Sequence, residues 1–314
     1  MAEGVKSPLL TACTDGRSIP GMLGEPIPST RERPELTVVG TGIVCVAHTT
    51  PQARDAIAAA DKVLYYVVDD ESEAWIRGLN GSAESLAALY NVSGAFVDRY
   101  VAMAAEAVAW LRRGADVCLA FYGHPGVLVL PASLAVARAR AEGFPARLLP
   151  GISAEDCLFA DLGVDPGFVG CQSFEATDFL VYRRQFDPSS LLILWQIGAL
   201  GRTRPEDPPD DRALQLVVDR LRPRYGVRHE ILLYVAASDA AGGHQAARLP
   251  LGALPHAEVH PVATLCVPPG VRRRPDRRAL ARLGADSDVL WKERLAELVG
   301  AQARATSSSS ASST

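Results

Sequence analysis

The apolar run at residues 117–121 (VCLAF), with the loop that follows it, constrains the fold most strongly. Five consecutive apolar residues are typical of a strand that is buried on both faces of a parallel sheet. Tyr122 ends the run, and residues 123–126 (GHPG) bring two glycines and a proline, which allow turns and close approaches that bulkier residues resist. Because ligands of open α/β sheets bind at the carboxyl ends of strands, this loop is a candidate binding site. An ordinary strand-ending turn is the alternative.

Strand and helix patterns alternate through the first half of the chain. Further strands are predicted at residues 36–42, 63–68 and 146–149, and helices at residues 96–111 and 131–141, with short helical pieces at 73–79 and 84–89. Residues 49–51 (TTP) are a good start for another helix, because hydroxyl caps and a proline in the first turn both favour one. The alternation predicts a doubly wound parallel sheet.

The pattern changes after residue 170. Strands are predicted at residues 179–181, 191–197, 231–236 and 263–267, separated by longer loops and one clear helix at 212–221. We therefore expect two α/β domains with flanking segments. These are a flexible leader (1–33), an N-terminal α/β domain (34–149), a C-terminal α/β domain with a mixed sheet (150–270), a helical extension (271–300) and a disordered Ser-rich tail (301–314).

The bulk composition narrows the class of protein. The chain has 314 residues, 48% of them apolar and 22% charged, which is enough for two packed domains. A net charge of −4 and a pI near 5.9 give no electrostatic case for nucleic acid or an anionic membrane as a partner. The six cysteines form no CxxC pair and the six histidines show no ligand spacing, so we expect no metal site and reduced thiols in a cytoplasmic protein. The sequence contains neither a run of ~20 apolar residues nor a signal-peptide pattern, so no membrane association is expected.

Seven segments follow one another in an informative order: residues 39–43 (VGTGI), 121–127 (FYGHPGV), 149–164 (LPGISAEDCLFADLGV), 165–166 (DP), 175–179 (EATDF), 194–198 (LWQIG) and 267–269 (VPP). Together they resemble the tetrapyrrole-methylase superfamily of class III methyltransferases. The narrower likeness is to the peptide-backbone amide N-methyltransferases of borosin biosynthesis, because tetrapyrrole enzymes usually carry Gly-Asp-Pro where this chain has Gly123-His124-Pro125. The likeness spans roughly residues 36–285.

This resemblance implies a homodimer that binds S-adenosylmethionine in a cleft between the two α/β domains of each chain. It implies cofactor contacts at Tyr122, His124, Val127, Ser153, Ala154, Gln196, Ala236, Ala263 and Thr264. On the residues alone, His124 has the alternative of serving only its loop, and Ser153 that of a helix cap. Gln196, on a predicted buried strand, needs hydrogen-bond partners for its amide.

The implied reaction is demanding, because the lone pair of an amide nitrogen is delocalised into the carbonyl. Methylation therefore needs deprotonation or imidate formation, with the developing oxyanion stabilised. The resemblance implies a helix that carries a tyrosine and, one turn earlier, an arginine, and the catalytic tyrosines it matches here are Tyr90, Tyr100 and Tyr122. The arginine position holds Phe96 instead. Arg99 lies about 100° around the helix from Tyr100, so we expect it not to share the face of Tyr100.

Three functions therefore stay open from the sequence. The first is methylation of backbone amides in a ribosomally synthesized peptide precursor, either a separate chain or this chain's own C-terminus. The second is a methyltransferase of the same fold that acts on a small metabolite or a side chain, which the missing arginine favours. The third is a cofactor-binding homologue without catalysis.

Overall fold

The computed structural model describes residues 33–90, 96–201, 211–237, 242–272 and 275–284. The described residues form two compact units. One contains the residues up to Val164 together with Val235–Gln245, and the other contains Asp165–Tyr234 and the residues from Ala246 onward. The sequence-based boundary was residue 149, whereas the compact units divide at Val164. The predicted leader up to residue 32, residues 285–300 of the predicted helical extension and the Ser-rich tail lie outside the described residues.

The first unit is built on a five-stranded sheet in which every strand pair is parallel, in the order β3-β2-β4-β1-β5. The strands are β1 (Leu36–Gly40), β2 (Lys62–Tyr66), β3 (Glu84–Ser85), β4 (Val117–Phe121) and β5 (Ala146–Leu148). All residues of β1 and β4 are buried, as expected for strands covered on both faces. The predicted parallel sheet, with the VCLAF strand at its centre, is confirmed.

Helices connect these strands. They are α1 (Cys45–His48), α2 (Pro51–Ala59), α3 (Asp70–Leu79), α4 (Ala87–Tyr90), α5 (Phe96–Arg112), α6 (Leu130–Ala141) and α7 (Ala154–Leu162). The predicted start at the TTP segment is confirmed, since the Thr50 side chain accepts a hydrogen bond from the Ala53 N–H and Pro51 opens the helix. The helical piece predicted at residues 84–89 is wrong in its first half, because Glu84 and Ser85 pair with β2 as an edge strand.

The second unit contains a mixed sheet in the order β6-β7-β10-β8-β9. Its strands are β6 (Cys171–Glu175), β7 (Leu191–Trp195), β8 (Glu230–Val235), β9 (Gln245–Pro250) and β10 (Thr264–Val267). β6 and β7 pair in parallel, whereas β10 is antiparallel to both β7 and β8. The mixed sheet is therefore confirmed, although the mostly exposed strand β9 escaped prediction because it lacks an apolar alternation.

One local prediction in this unit is wrong. Residues 179–181 belong to helix α9 (Ala176–Val181), which follows α8 (Pro166–Val169), and not to a strand. The Glu175 carboxylate caps α9 by accepting hydrogen bonds from the N–H groups of Thr177 and Asp178. The remaining helices are α10 (Asp211–Tyr225) and α11 (Arg277–Arg282), with 3₁₀ turns at Ile197–Ala199 and Leu251–His256.

Two absences hold within the described ranges. None of the described helices has the length and apolarity needed to cross a bilayer. No three His, Cys, Asp or Glu side chains of the described residues form a group that could hold a metal ion. Cys45, Cys118 and Cys266 are buried thiols of the two cores.

Candidate active site

The carboxyl edge of the first sheet opens between β1 and β4. The connection from β1 crosses β4 to reach β2, and the connection from β4 crosses β1 to reach β5. Right-handed crossovers that leave in opposite directions cover opposite faces of a sheet, so the two loops diverge at this point. In open α/β sheets this divergence forms the crevice in which ligands bind.

The loops that follow β1 and β4 are hydrogen bonded to each other. The Gly123 N–H donates to the Gly42 carbonyl (2.8 Å), and the Gly42 N–H donates to the Gly123 carbonyl (3.2 Å). Gly123 has a φ of +74°, a conformation that favours glycine. A Cβ atom on Gly40 would lie 2.1 Å from the Gly123 carbonyl oxygen, so only glycine allows the two backbones to approach this closely.

The β4 loop is shaped from within by His124. Its Nδ1 accepts a hydrogen bond from the Gly126 N–H (2.9 Å), and its carbonyl accepts one from the Val127 N–H (3.1 Å). His124 therefore does serve its loop, and with Nδ1 as the acceptor the ring leaves Nε2 as a donor. The loop presents apolar surface at the edge of the sheet, where Tyr122 is 43% and Val127 38% exposed.

Ser153 caps helix α7 in the loop after β5. Its hydroxyl accepts a hydrogen bond from the Asp156 N–H (3.3 Å) and donates one to the Asp156 carboxylate (2.6 Å). The same carboxylate accepts a bond from the Ser153 N–H (2.7 Å), which completes a capping box. The cap interpretation of Ser153 is thus confirmed, and a contact of Ser153 or Ala154 with the cofactor stays a prediction.

A cluster of three tyrosines lies at the same edge; we call Tyr66, Tyr90 and Tyr100 the tyrosine cluster. The ring centroids of Tyr66 and Tyr90 are 4.6 Å apart, and those of Tyr90 and Tyr100 are 6.3 Å apart. Tyr122 adjoins the cluster through its N–H, which donates to the Tyr66 carbonyl (3.3 Å). The structure thus brings together the three predicted tyrosines and adds Tyr66, which sequence reasoning missed. Tyr66 is the last residue of β2, and a position at the carboxyl end of a parallel strand was the signal that could have identified it as a site residue.

The surroundings raise the pKa values of these phenols. Burial raises the pKa of Tyr100 to about 12, with a further increase from Tyr90 and an opposing effect from the nearby Arg99 charge. Burial, followed by the neighbouring tyrosines, raises the pKa of Tyr66 as well. Burial and then Tyr90 raise the pKa of Tyr122. At neutral pH these three hydroxyls are therefore protonated hydrogen-bond donors.

Arg99 points into this cluster. The residue is only 8% exposed, and its guanidinium lies 5.7 Å from the centroid of the Tyr90 ring and 5.4 Å from that of Phe96. The Phe96 ring also stacks on Tyr100 at 6.3 Å. Arg99 and Tyr100 leave the helix in different directions, yet both reach the rings of Phe96 and Tyr90. The expectation that Arg99 does not share the face of Tyr100 stays a prediction, although the two side chains have these two rings as common neighbours.

The second unit contains three of the predicted cofactor residues. Gln196 directly follows β7 with a φ of +58° and is exposed, so its predicted place on a buried strand is wrong. The antiparallel register of β10 and β7 places the buried Ala263 and Thr264 at the end of β7, next to Gln196. These three residues are brought together within their unit. Ala236 follows β8 and belongs to the first unit.

Comparison with known proteins gives a family match and several relatives. The sequence model of the family described as Tetrapyrrole (Corrin/Porphyrin) Methylases matches residues 35–238. The chain is 44% identical over 205 residues to a methyltransferase/ribosomally synthesized type I borosin cyclic peptide precursor from Coprinopsis marcescibilis, covering 64% of this chain and 52% of that protein. It is 39% identical over 253 residues to a methyltransferase/ribosomally synthesized cyclic peptide gymnopeptides precursor from Gymnopus fusipes, covering 79% and 60%. The chain thus spans between half and three fifths of the length of these relatives.

Solved structures share the fold at low identity. A uroporphyrin-III-C-methyltransferase from Thermus thermophilus has a TM-score of 0.55 at 19% identity, covering 76% of this chain and 94% of that one. A diphthine synthase has a TM-score of 0.52 at 15% identity, with coverages of 76% and 91%. These structures confirm the predicted α/β fold class.

Proposed function

Because the chain belongs to the tetrapyrrole (corrin/porphyrin) methylase family, we propose that it is an S-adenosylmethionine-dependent methyltransferase that methylates backbone amides of a ribosomally synthesized peptide. The observation that supports this proposal is the meeting of the glycine loops and the tyrosine cluster at one sheet edge. The relatives named as methyltransferase/cyclic peptide precursors support a peptide as the acceptor.

The residues at this edge fit the cofactor. S-adenosylmethionine needs a few placed polar partners in an otherwise apolar cleft, and the exposed faces of Tyr122 and Val127 offer the apolar surface. The His124 Nε2 donor and the amino-terminal end of α7 favour the hydroxyl and carboxylate groups of such a ligand. Aromatic rings also attract its cationic sulfonium. Contacts of the cofactor with Ala236 and, in the second unit, with Gln196, Ala263 and Thr264 are part of this proposal.

The bound cofactor supplies an electrophilic methyl group on sulfur. The protein has to remove the amide N–H proton as the new nitrogen–carbon bond forms and the methyl–sulfur bond breaks. The protonated hydroxyls of Tyr66, Tyr100 and Tyr122 suit one part of this task, donation to the carbonyl oxygen of the substrate on which negative charge develops. A tyrosine accepts the proton only as a phenolate, which a nearby positive charge favours.

Purified full-length chain tests this function in two steps. Calorimetry with S-adenosylmethionine measures cofactor binding. Incubation with the cofactor and Val-, Ile- and Leu-rich synthetic peptides, followed by fragmentation mass spectrometry, locates any added methyl groups. We expect methyl groups on backbone nitrogens. A methyl group on a side chain would support the alternative acceptor, which Phe96 at the arginine position favours, and cofactor binding without any product would support a non-catalytic homologue.

The chain's own C-terminus is a second possible acceptor. Intact mass spectrometry of the recombinant chain would then show a ladder of methyl-sized increments that fragmentation maps to residues 300–314. A single unmodified mass after long incubation would exclude this segment. We also propose that the protein is cytoplasmic and a homodimer, and light scattering that reports a monomer at micromolar concentration would contradict the dimer.

A further inference from the structure

Arg99 is a buried charge that the reaction described above leaves unused. It is more than nine-tenths buried, near the start of the seventeen-residue helix α5. Within the described part of the chain its Nε has no hydrogen-bond partner, and no ion pair includes it. An arginine side chain keeps its charge at physiological pH, and an unpaired cation in the interior is costly. Arg99 is therefore a candidate binding residue for an anion that comes from outside the chain.

The groups beside Arg99 are hydrogen-bond donors. Its guanidinium lies 5.7 Å from the centroid of the Tyr90 ring, the central ring of the tyrosine cluster. Burial holds the pKa of Tyr100 at about 12 although the Arg99 charge opposes the increase. The pKa values of Tyr66 and Tyr122 are raised as well, so these hydroxyls stay protonated. No carboxylate of the described residues acts on the three phenols, and the wall they form with Arg99 therefore suits an anion.

We propose that Arg99 binds a carboxylate of the acceptor peptide, and that hydroxyls of the tyrosine cluster donate to the same group. In a guanidinium the Nε–H and one Nη–H are parallel and match the two oxygens of a carboxylate, and Nε is the buried atom left unpaired in Arg99. A peptide carries this group on an Asp or Glu side chain or at its C-terminus. The inference rests on the proposed function and names a chemical feature of the peptide that the enzyme takes.

A site of this kind discriminates against a neutral peptide. The rings of Phe96 (5.4 Å) and Tyr90 lie beside the guanidinium of Arg99, which is only 8% exposed, so little water reaches it. A carboxylate compensates this charge, whereas a neutral amide in the same place leaves the charge without an anionic partner. A hydrogen bond to a charged group contributes a factor of about 10–100 in affinity, which is the preference we expect.

Peptide binding to the full chain tests the proposal without any methyl transfer. The probes are short acetylated and amidated peptides of Val, Ile and Leu in which one glutamate takes each position in turn, together with their glutamine counterparts. A further apolar peptide has a free C-terminal carboxylate. Calorimetry with and without S-adenosylhomocysteine gives the dissociation constants. We expect one of the charged probes to bind about 10–100-fold more tightly than its neutral counterpart, and the probe that does so identifies the source of the carboxylate.

Substitutions assign the preference to Arg99. Arg99→Met should abolish it, and Arg99→Lys, which keeps the charge but not the planar fork, should retain part of it. Arg112→Met is the matched control, because Arg112 lies on the same helix but is exposed and paired with Glu142 (2.6 Å), and it should keep the full preference. Should Arg99→Met fail to fold by circular dichroism, Arg99→Gln takes its place.

Equal affinity for charged and neutral peptides, or a preference that survives the loss of the Arg99 charge, would overturn the proposal. Urea unfolding without ligand checks its premise. Loss of an unpaired buried cation should leave the midpoint of Arg99→Met unchanged or raise it, and a clearly lower midpoint would show that the charge is already paired in the fold. Preference for the carboxylate through Arg99 without any methylated product would refute only the proposed function. Methylation of all the peptides with the same KM would refute only this inference, and a chain that binds none of them would refute both.

Discussion

The substitution Gly40→Ala directly tests the close contact between the loops that follow β1 and β4. The added methyl group would lie 2.1 Å from the Gly123 carbonyl oxygen and 2.8 Å from the Pro125 ring. Ordinary contact begins at 3.4 Å, so the β4 loop would have to retreat by more than about 1 Å. Such a retreat breaks the two hydrogen bonds between Gly42 and Gly123, each contributing about 1 kcal/mol.

Overpacking of this kind costs about 1–3 kcal/mol, and with the two hydrogen bonds the expected loss is about 3–5 kcal/mol in the free energy of unfolding. Because the displaced loop carries Tyr122 and Val127, we also expect S-adenosylmethionine to bind at least about tenfold more weakly, a difference of about 1.4 kcal/mol. Scanning calorimetry of the full chain measures the first effect, and titration calorimetry the second.

Gly78→Ala is the matched control. It adds the same methyl group inside helix α3, where nothing lies within 4 Å, and alanine is favoured over glycine in a helix by about 1 kcal/mol. Its cofactor affinity should stay unchanged and its stability should rise slightly. If Gly40→Ala matches this control in both measurements, the close contact between the two loops is not part of the folded protein and the reasoning fails.

Five further substitutions probe the site. Ser153→Ala removes the cap of α7 and should lower the free energy of unfolding by about 1 kcal/mol in denaturant titrations, and an unchanged midpoint would contradict the capping role. His124→Ala and Gln196→Ala should both weaken cofactor binding in calorimetry, whereas full affinity in both variants would remove these residues from the proposed site. Phe96→Arg should raise the methylation rate and Tyr100→Phe should lower it, and an active enzyme indifferent to both changes would show that α5 is not catalytic.

Local signals in the sequence were sufficient for the framework of the first unit. The VCLAF run predicts a buried strand because every one of its side chains is apolar, and β4 is buried at all five positions. The starts of α2 at Thr50 and of α7 at Ser153 were predictable because a cap involves residues only three apart. Such interactions are encoded by neighbouring residues, and distant contacts do not have to be known.

Elements whose formation depends on a distant partner could not be predicted. Glu84 and Ser85 look helical in isolation and become a strand only because β2 offers its open edge. Gln196 follows an apolar run that predicts a strand to residue 197, but the left-handed backbone at Gln196 ends β7 two residues earlier, at Trp195, and leaves the Gln196 side chain exposed. The sequence contains no local signal for either outcome.

The candidate site shows the same division. The glycine loop could be recognised from its own residues, 123–126 (GHPG), and Tyr100 from the resemblance to the methyltransferase family. Other contacts depend on how α4 and α5 pack beside the end of β2. These are the contact of Tyr66 with Tyr90 and the contacts of Arg99 with Tyr90 and Phe96. Helix periodicity fixes the direction in which a side chain leaves the backbone, but a long guanidinium reaches beyond that direction. Which rings it finds there depends on residues from other parts of the chain.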